Sequence, residues 1–178
     1  IEDDYLEAAG ETILYGGVDS NIPGILPRDI TIRNNHFRKP LSWWEDHATY
    51  DGRRRVCKNL LEFKVGQYAM VRGNLFENNW GFQGDQAGFA WLVTPRNQDG
   101  GNPHNYTRDI TFDGNDVRNV ARVLQVFSRD GNQSGRTERL AFTNNRCTGI
   151  FGGDVERWPQ IIQTIFTAGE DLIGLTFI

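Results

Sequence analysis

The sequence predicts an all-β chain: a parallel β-helix, or solenoid, of about five coils, with loop inserts and uncapped ends. Three observations predict it. A short strand-and-turn motif recurs four times, a second family of strand-like segments alternates with it, and the composition suits turns and aromatic packing better than helices. The chain has 178 residues with 20 Gly, 11 Phe and 5 Trp but a single Met, a balance typical of turn-rich β structure. That length is room for one domain with a real core, so residues 1–178 are read as a single unit that is part of a longer β-helix.

The recurring motif is an apolar, polar, apolar, polar rhythm followed by Asn. Its copies are Ile30-Thr31-Ile32-Arg33-Asn34-Asn35-His36-Phe37, Ala69-Met70-Val71-Arg72-Gly73-Asn74-Leu75-Phe76, Ile110-Thr111-Phe112-Asp113-Gly114-Asn115-Asp116-Val117 and Leu140-Ala141-Phe142-Thr143-Asn144-Asn145-Arg146-Cys147. Period-2 alternation puts every second side chain on one face of a strand. The inner columns then read Ile30/Ala69/Ile110/Leu140 and Ile32/Val71/Phe112/Phe142, with Phe37/Phe76/Val117/Cys147 beyond the bend. The outer columns are mixed and mostly polar. Asn35, Asn74, Asn115 and Asn145 fall in register, spaced 39, 41 and 30 residues apart, and Asp4 is a degenerate fifth member. Asn tolerates a left-handed bend, and its amide can bond to the same Asn one coil away, so these four residues are expected to form a structural ladder.

The second family is Thr12-Ile13-Leu14-Tyr15-Gly16-Gly17, Asn59-Leu60-Leu61-Glu62-Phe63-Lys64, Gly88-Phe89-Ala90-Trp91-Leu92-Val93-Thr94, Arg122-Val123-Leu124-Gln125-Val126-Phe127 and Ile161-Ile162-Gln163-Thr164-Ile165-Phe166. One of each family per repeat makes a coil that buries its apolar edge on the next. Long linkers interrupt the period, and loops are where binding residues concentrate. The largest, from Arg38 to Lys58, carries Trp43, Trp44, His47 and Arg53-Arg54-Arg55; two others run from Pro95 to Arg108 and from Ser128 to Glu138. The open ends of a solenoid are sticky, so neighbouring coils or self-assembly are expected there.

Several segments carry a family resemblance: Ile30 to Phe37 running into Lys39-Pro40-Leu41-Ser42-Trp43, then Lys58-Asn59-Leu60-Leu61-Glu62, Gly73-Asn74-Leu75-Phe76-Glu77-Asn78-Asn79-Trp80 and Thr94-Pro95-Arg96-Asn97-Gln98. The chain resembles bacterial right-handed parallel β-helix repeat proteins of the pectate-lyase-like superfamily, in a secreted subgroup. The resemblance implies a right-handed solenoid, an extracellular or cell-surface location and work on polysaccharides. It implies no particular reaction, because fold alone does not carry function. The Gly-His-Gly and Asn-Thr-Asp segments of polygalacturonases do not occur, and Trp44-Glu45-Asp46-His47 matches the Trp-Ile-Asp-His segment of pectate lyases only superficially.

The function expected is binding, with or without cleavage, of a polysaccharide on the outer face and the inserts; the alternative is a non-catalytic structural or adhesive solenoid. A lyase or hydrolase would use Arg96 with Glu62 or Asp99, since charge neutralisation and proton transfer need a cation beside a carboxyl group. Arg96 and Asp99 directly follow a strand, and Glu62 shares an outward row with Gln125 and Gln163. Substrate contacts are assigned to Trp43, Trp44 and Trp91 as flat platforms for sugar rings, to Arg33 and Arg72 as a cationic strip, and to Gln125 as a reader of hydroxyls. Neither a cofactor nor a metal is expected, as no calcium-loop or zinc-ligand spacing occurs. A net charge of -4 argues against a nucleic-acid partner, and no apolar run is long enough for a membrane-spanning helix.

Overall fold

The computed structural model describes residues 1–17, 19–20, 22–80, 88–150, 160–165 and 173–178. Among them there is no α-helix, only one 3-10 turn at Leu41–Trp43. Fifteen strands form three five-stranded sheets. The first sheet contains β1 (Tyr5–Glu7), β4 (His36–Arg38), β7 (Leu75–Asn79), β10 (Asp116–Val120) and β13 (Arg146–Ile150), in that order. The second contains β2 (Ile13–Tyr15), β5 (Leu61–Phe63), β8 (Trp91–Val93), β11 (Arg122–Phe127) and β14 (Gln160–Ile165). The third contains β3 (Arg28–Arg33), β6 (Gly66–Arg72), β9 (Thr107–Asp113), β12 (Thr137–Thr143) and β15 (Ile173–Phe177). All pairings are parallel, and the chain visits the three sheets in fixed rotation, one strand further along at each visit. This is compatible with a parallel β-solenoid, with three strands per circuit.

The core is built by the alternation seen in the sequence. In the third sheet Ile30 pairs with Ala69, Ala69 with Ile110 and Ile110 with Leu140; Ile32, Val71, Phe112 and Phe142 form the neighbouring row. The first sheet contributes Phe37, Phe76, Val117 and Cys147. Like residues stacked on like bring aromatic rings face to face, with centroids 4.5 Å apart for Phe37 and Phe76 and 4.8 Å apart for Phe112 and Phe142. Offset stacking of this kind adds to the burial of each ring. Cys57 and Cys147 are free thiols.

The asparagine ladder runs the length of this core. The Nδ2 of Asn35 donates to Oδ1 of Asn74 at 3.0 Å, Asn74 to Asn115 at 2.9 Å and Asn115 to Asn145 at 2.9 Å. Each Oδ1 also accepts from the backbone N–H of the preceding ladder residue, and Asp4 joins through its own N–H to Asn35. The second N–H of each amide reaches a main-chain carbonyl: Ile1, Ile32, Val71 and Phe112 in turn. A buried amide is costly unless its donors and acceptor are used; those of Asn35, Asn74 and Asn115 all are, while Asn145, half-buried at the ladder's end, donates to the Phe112 carbonyl alone.

Left-handed residues also stack. Asn34, Gly73, Gly114 and Asn144 precede the ladder with φ between 55° and 64°. A second stack, Asp29, Tyr68, Asp109, Arg139 and Gly174, lies one or two positions into the third-sheet strands, where the ladder of paired residues skips them. Tyr68, at φ 54°, is the costly member, because a bulky side chain disfavours this region.

Two outcomes follow for stability, both measurable by urea denaturation. Asn74→Ala strands buried partners on both sides and lowers stability by about 2–4 kcal/mol, whereas Asn145→Ala, at the ladder's end, costs less. Tyr68→Asn relieves the left-handed penalty and raises stability by about 0.5–1 kcal/mol.

Candidate functional site

The outward row of the second sheet is set by register: Leu14 pairs with Glu62, Glu62 with Leu92, Leu92 with Gln125 and Gln125 with Gln163. Gln163's side chain lies outside the described residues. Glu62, Leu92 and Gln125 form the floor of an open cavity of about 450 Å³. One wall comes from residues flanking β2 and β5, namely Glu11, Lys58, Asn59 and Lys64; the other comes from the loops after β8 and β11, with Arg96, Gln98, Asp130 and Asn132.

The walls are fixed by identifiable contacts. Lys39 is fully buried, and its Nζ donates to the carbonyls of Ala8, Ala9 and Gly10 at 2.7–2.9 Å. This pins the turn that leads into Glu11. Burial pushes the Lys39 amine down to about 8, while three carbonyl acceptors favour its charged form. On the other side, Asp130 accepts from the Asn97 N–H at 2.9 Å and pairs with Arg96 at 3.3 Å, and the Arg96 guanidinium lies 5.0 Å from the Phe127 ring centre. Asp19 accepts from the N–H groups of Gln98 and Asp99, and Asn105 donates to the Arg96 carbonyl.

Glu62 is 3 % exposed, accepts from Asn59 Nδ2 at 2.8 Å and has Lys64 Nζ at 3.6 Å. Burial raises its carboxyl above the ordinary value, outweighing the Asn59 bond and the Lys64 charge, and nearby Glu11 adds to the rise. Burial also acts upward on Glu11, but there the Lys58 hydrogen bond at 2.9 Å, a backbone bond and the charges of Lys58 and Lys64 win, leaving it lowered. Two carboxyl groups in one cavity pushed in opposite directions are what acid and base roles require. The amides of Gln98, Gln125 and Asn132 carry both donors and acceptors suited to hydroxyl groups, whereas Asn59 uses its Nδ2 on Glu62 and its Oδ1 on the Phe89 N–H.

Of the residues expected from the sequence, Glu62, Arg96 and Gln125 meet in this cavity. Trp91 does not serve it as a platform. It is 2 % exposed and packs on Phe112 and Phe76, with centroids 4.8 and 5.5 Å away, because the strand turns Trp91 and Val93 inward and Leu92 outward. Asp99 is exposed at a loop tip and does not line the cavity. Trp43 and Trp44 stay in the 38–58 insert, Trp43 beneath Arg55 and Trp44 stacked between neighbours Trp80 and His47. Arg33 and Arg72 are adjacent on the third sheet, not the second, and each has a carboxylate partner: Glu2 for Arg33, and Asp113 for Arg72 at 3.3 Å. That strip is an ion-pair ladder.

Glu11, Lys58, Lys64 and Asp130 were not singled out by the sequence reading. Their signal was the one that marked Arg96: a polar residue directly flanking a second-family strand or closing its loop. Among the described residues no group of three or more His, Cys, Asp or Glu is placed to hold a metal ion, and no helix is long and apolar enough to cross a membrane. No family model, curated protein or solved structure matches the chain.

The Glu62 shift gives a pH-dependent outcome. A carboxyl raised in the folded state holds more protons there than in the unfolded chain, so stability falls as pH rises from the ordinary value of 4.5 through the folded one. Glu62→Gln keeps the Asn59 bond and removes that loss: its melting temperature exceeds wild type near pH 7, and the gain disappears near pH 4. Paired thermal melts at the two pH values measure it.

Proposed function

We propose that the chain is a right-handed parallel β-helix of the pectate-lyase-like kind that binds a polysaccharide along the outer face of its second sheet, outside the cell or at its surface. The observation that carries this reading is the convergence of Glu62, Arg96 and Gln125, from three separate strands or their loops, in one open cavity of about 450 Å³. Its volume is that of ligand sites generally. Its openness along successive parallel strands suits an extended polymer, and its amides and paired charges suit a hydroxyl-rich one. Within it Glu62 is the proton-transfer group, held in its acid form to higher pH than an exposed glutamate, and ionised Glu11 is the second carboxyl group.

The test is a glycan-array and depolymerisation screen of the intact protein, followed through reducing ends and through the ultraviolet absorbance of unsaturated uronates. Wild type is expected to retain a glycan, and Arg96→Ala to bind it about tenfold more weakly, the cost of roughly one good polar contact. New chain ends with wild type but not with Glu62→Gln make the protein an enzyme and Glu62 its proton donor or acceptor. Silence across the array contradicts the proposal and leaves the structural solenoid.

A further inference from the structure

The cavity's charges are matched one to one. Lys58 pairs with Glu11 at 2.9 Å, Lys64 with Glu62 at 3.6 Å and Arg96 with Asp130 at 3.3 Å. The three lining cations thus meet three lining carboxyl groups, and none of the three is left without an acidic partner. The pairs are held in place from behind. Asp130 Oδ2 accepts from the Asn97 N–H, and its own N–H donates to Ser134 Oγ, so it cannot swing aside without breaking a buried loop. Glu11 follows the turn that Lys39 clamps by three carbonyls.

We propose that this cavity selects a neutral polysaccharide and rejects its uronic-acid counterpart, an inference that rests on the glycan-binding reading above. A sugar carboxylate entering here finds each cation already bonded, and must either displace a protein carboxylate or sit beside one unpaired. Both are unfavourable: a charge taken from water needs a partner, and like charges brought together are a means of exclusion. A hydroxymethyl group at the same ring position meets neither obstacle. It exchanges water for the amides of Gln98, Gln125 and Asn132, whose donors and acceptors match alcohols as well as they match water. Arginine and lysine in a glycan groove ordinarily suggest an acidic ligand; the pairing here points the other way.

The test uses calorimetric titration of the intact protein with a panel of uronic-acid oligosaccharides and, for each, the carboxyl-reduced form with identical linkages. The reduced member of a pair is expected to bind about tenfold or more tightly than the acid, with little change as salt is raised, since no net charge is being neutralised. Glu11→Gln, which retains an acceptor for Lys58 but removes the charge, shifts the preference toward the acid by several-fold. Tighter binding of the acid member, weakening steeply with salt, overturns the neutral-glycan inference while the groove reading stands; so does a Glu11→Gln preference equal to wild type. Failure of every member of every pair, together with a silent array, removes both.

Discussion

The amide-to-amide hydrogen bond between successive asparagines is the constraint on which the remaining structure depends. Parallel strands slide easily unless something fixes their register, and a one-residue slip would turn each inward side chain outward. Asn35, Asn74, Asn115 and Asn145 prevent that slip, because each buried amide has all its partners only when the next Asn stands directly beside it. Loops of unequal length between repeats are then tolerated, since the register is reset at each Asn. The aromatic stacks of the core and the left-handed columns at the bends follow from the same repetition.

The candidate site is a consequence of this register at a distance. Fixing the third and first sheets fixes where each short second-sheet strand begins, and those strands present only one outward residue each among Glu62, Leu92 and their neighbours. With Leu92 between Glu62 and Gln125 the floor is partly apolar, and the polar chemistry is supplied from the flanks by Glu11, Lys58, Lys64, Arg96 and Asp130. Burial of Glu62 and exposure of the cavity are compatible because the carboxyl group lies at the base of the groove, where Asn59 and Lys64 surround it.

How much of this was legible in the sequence differs by residue and for physical reasons. The inner columns and the Asn ladder were legible because one strand's pattern repeats at the next: four aligned copies state the register directly. The first sheet was less visible, since β4 and its partners follow the bend so closely that strand and turn read as one motif. Trp91 was misplaced because Phe89 to Val93 is apolar throughout, and alternation alone does not say which side faces in. Aligning Trp91-Leu92-Val93 with Leu61-Glu62-Phe63 resolves it, as Glu62 marks the outward position. Arg33 and Arg72 were found in the right column, but their partners Glu2 and Asp113 come from neighbouring circuits. Two of the three cation pairings in the cavity have the same origin: Lys58 with Glu11 and Arg96 with Asp130 are far apart in the chain and meet only through parallel stacking, whereas Lys64 and Glu62 are near neighbours in sequence.

The central claim is that the outer face of the second sheet, and not the charged outer face of the third, receives the polysaccharide. Side-chain amide and guanidinium resonances report on it directly, in a magnetic-resonance titration of the intact protein with a retained oligosaccharide. Shifts concentrated on Asn59, Gln98, Gln125, Asn132 and the Arg96 guanidinium are the predicted result. Shifts concentrated instead on Arg33, Arg72 and the Tyr68 ring, with the second-sheet amides unmoved, would contradict it.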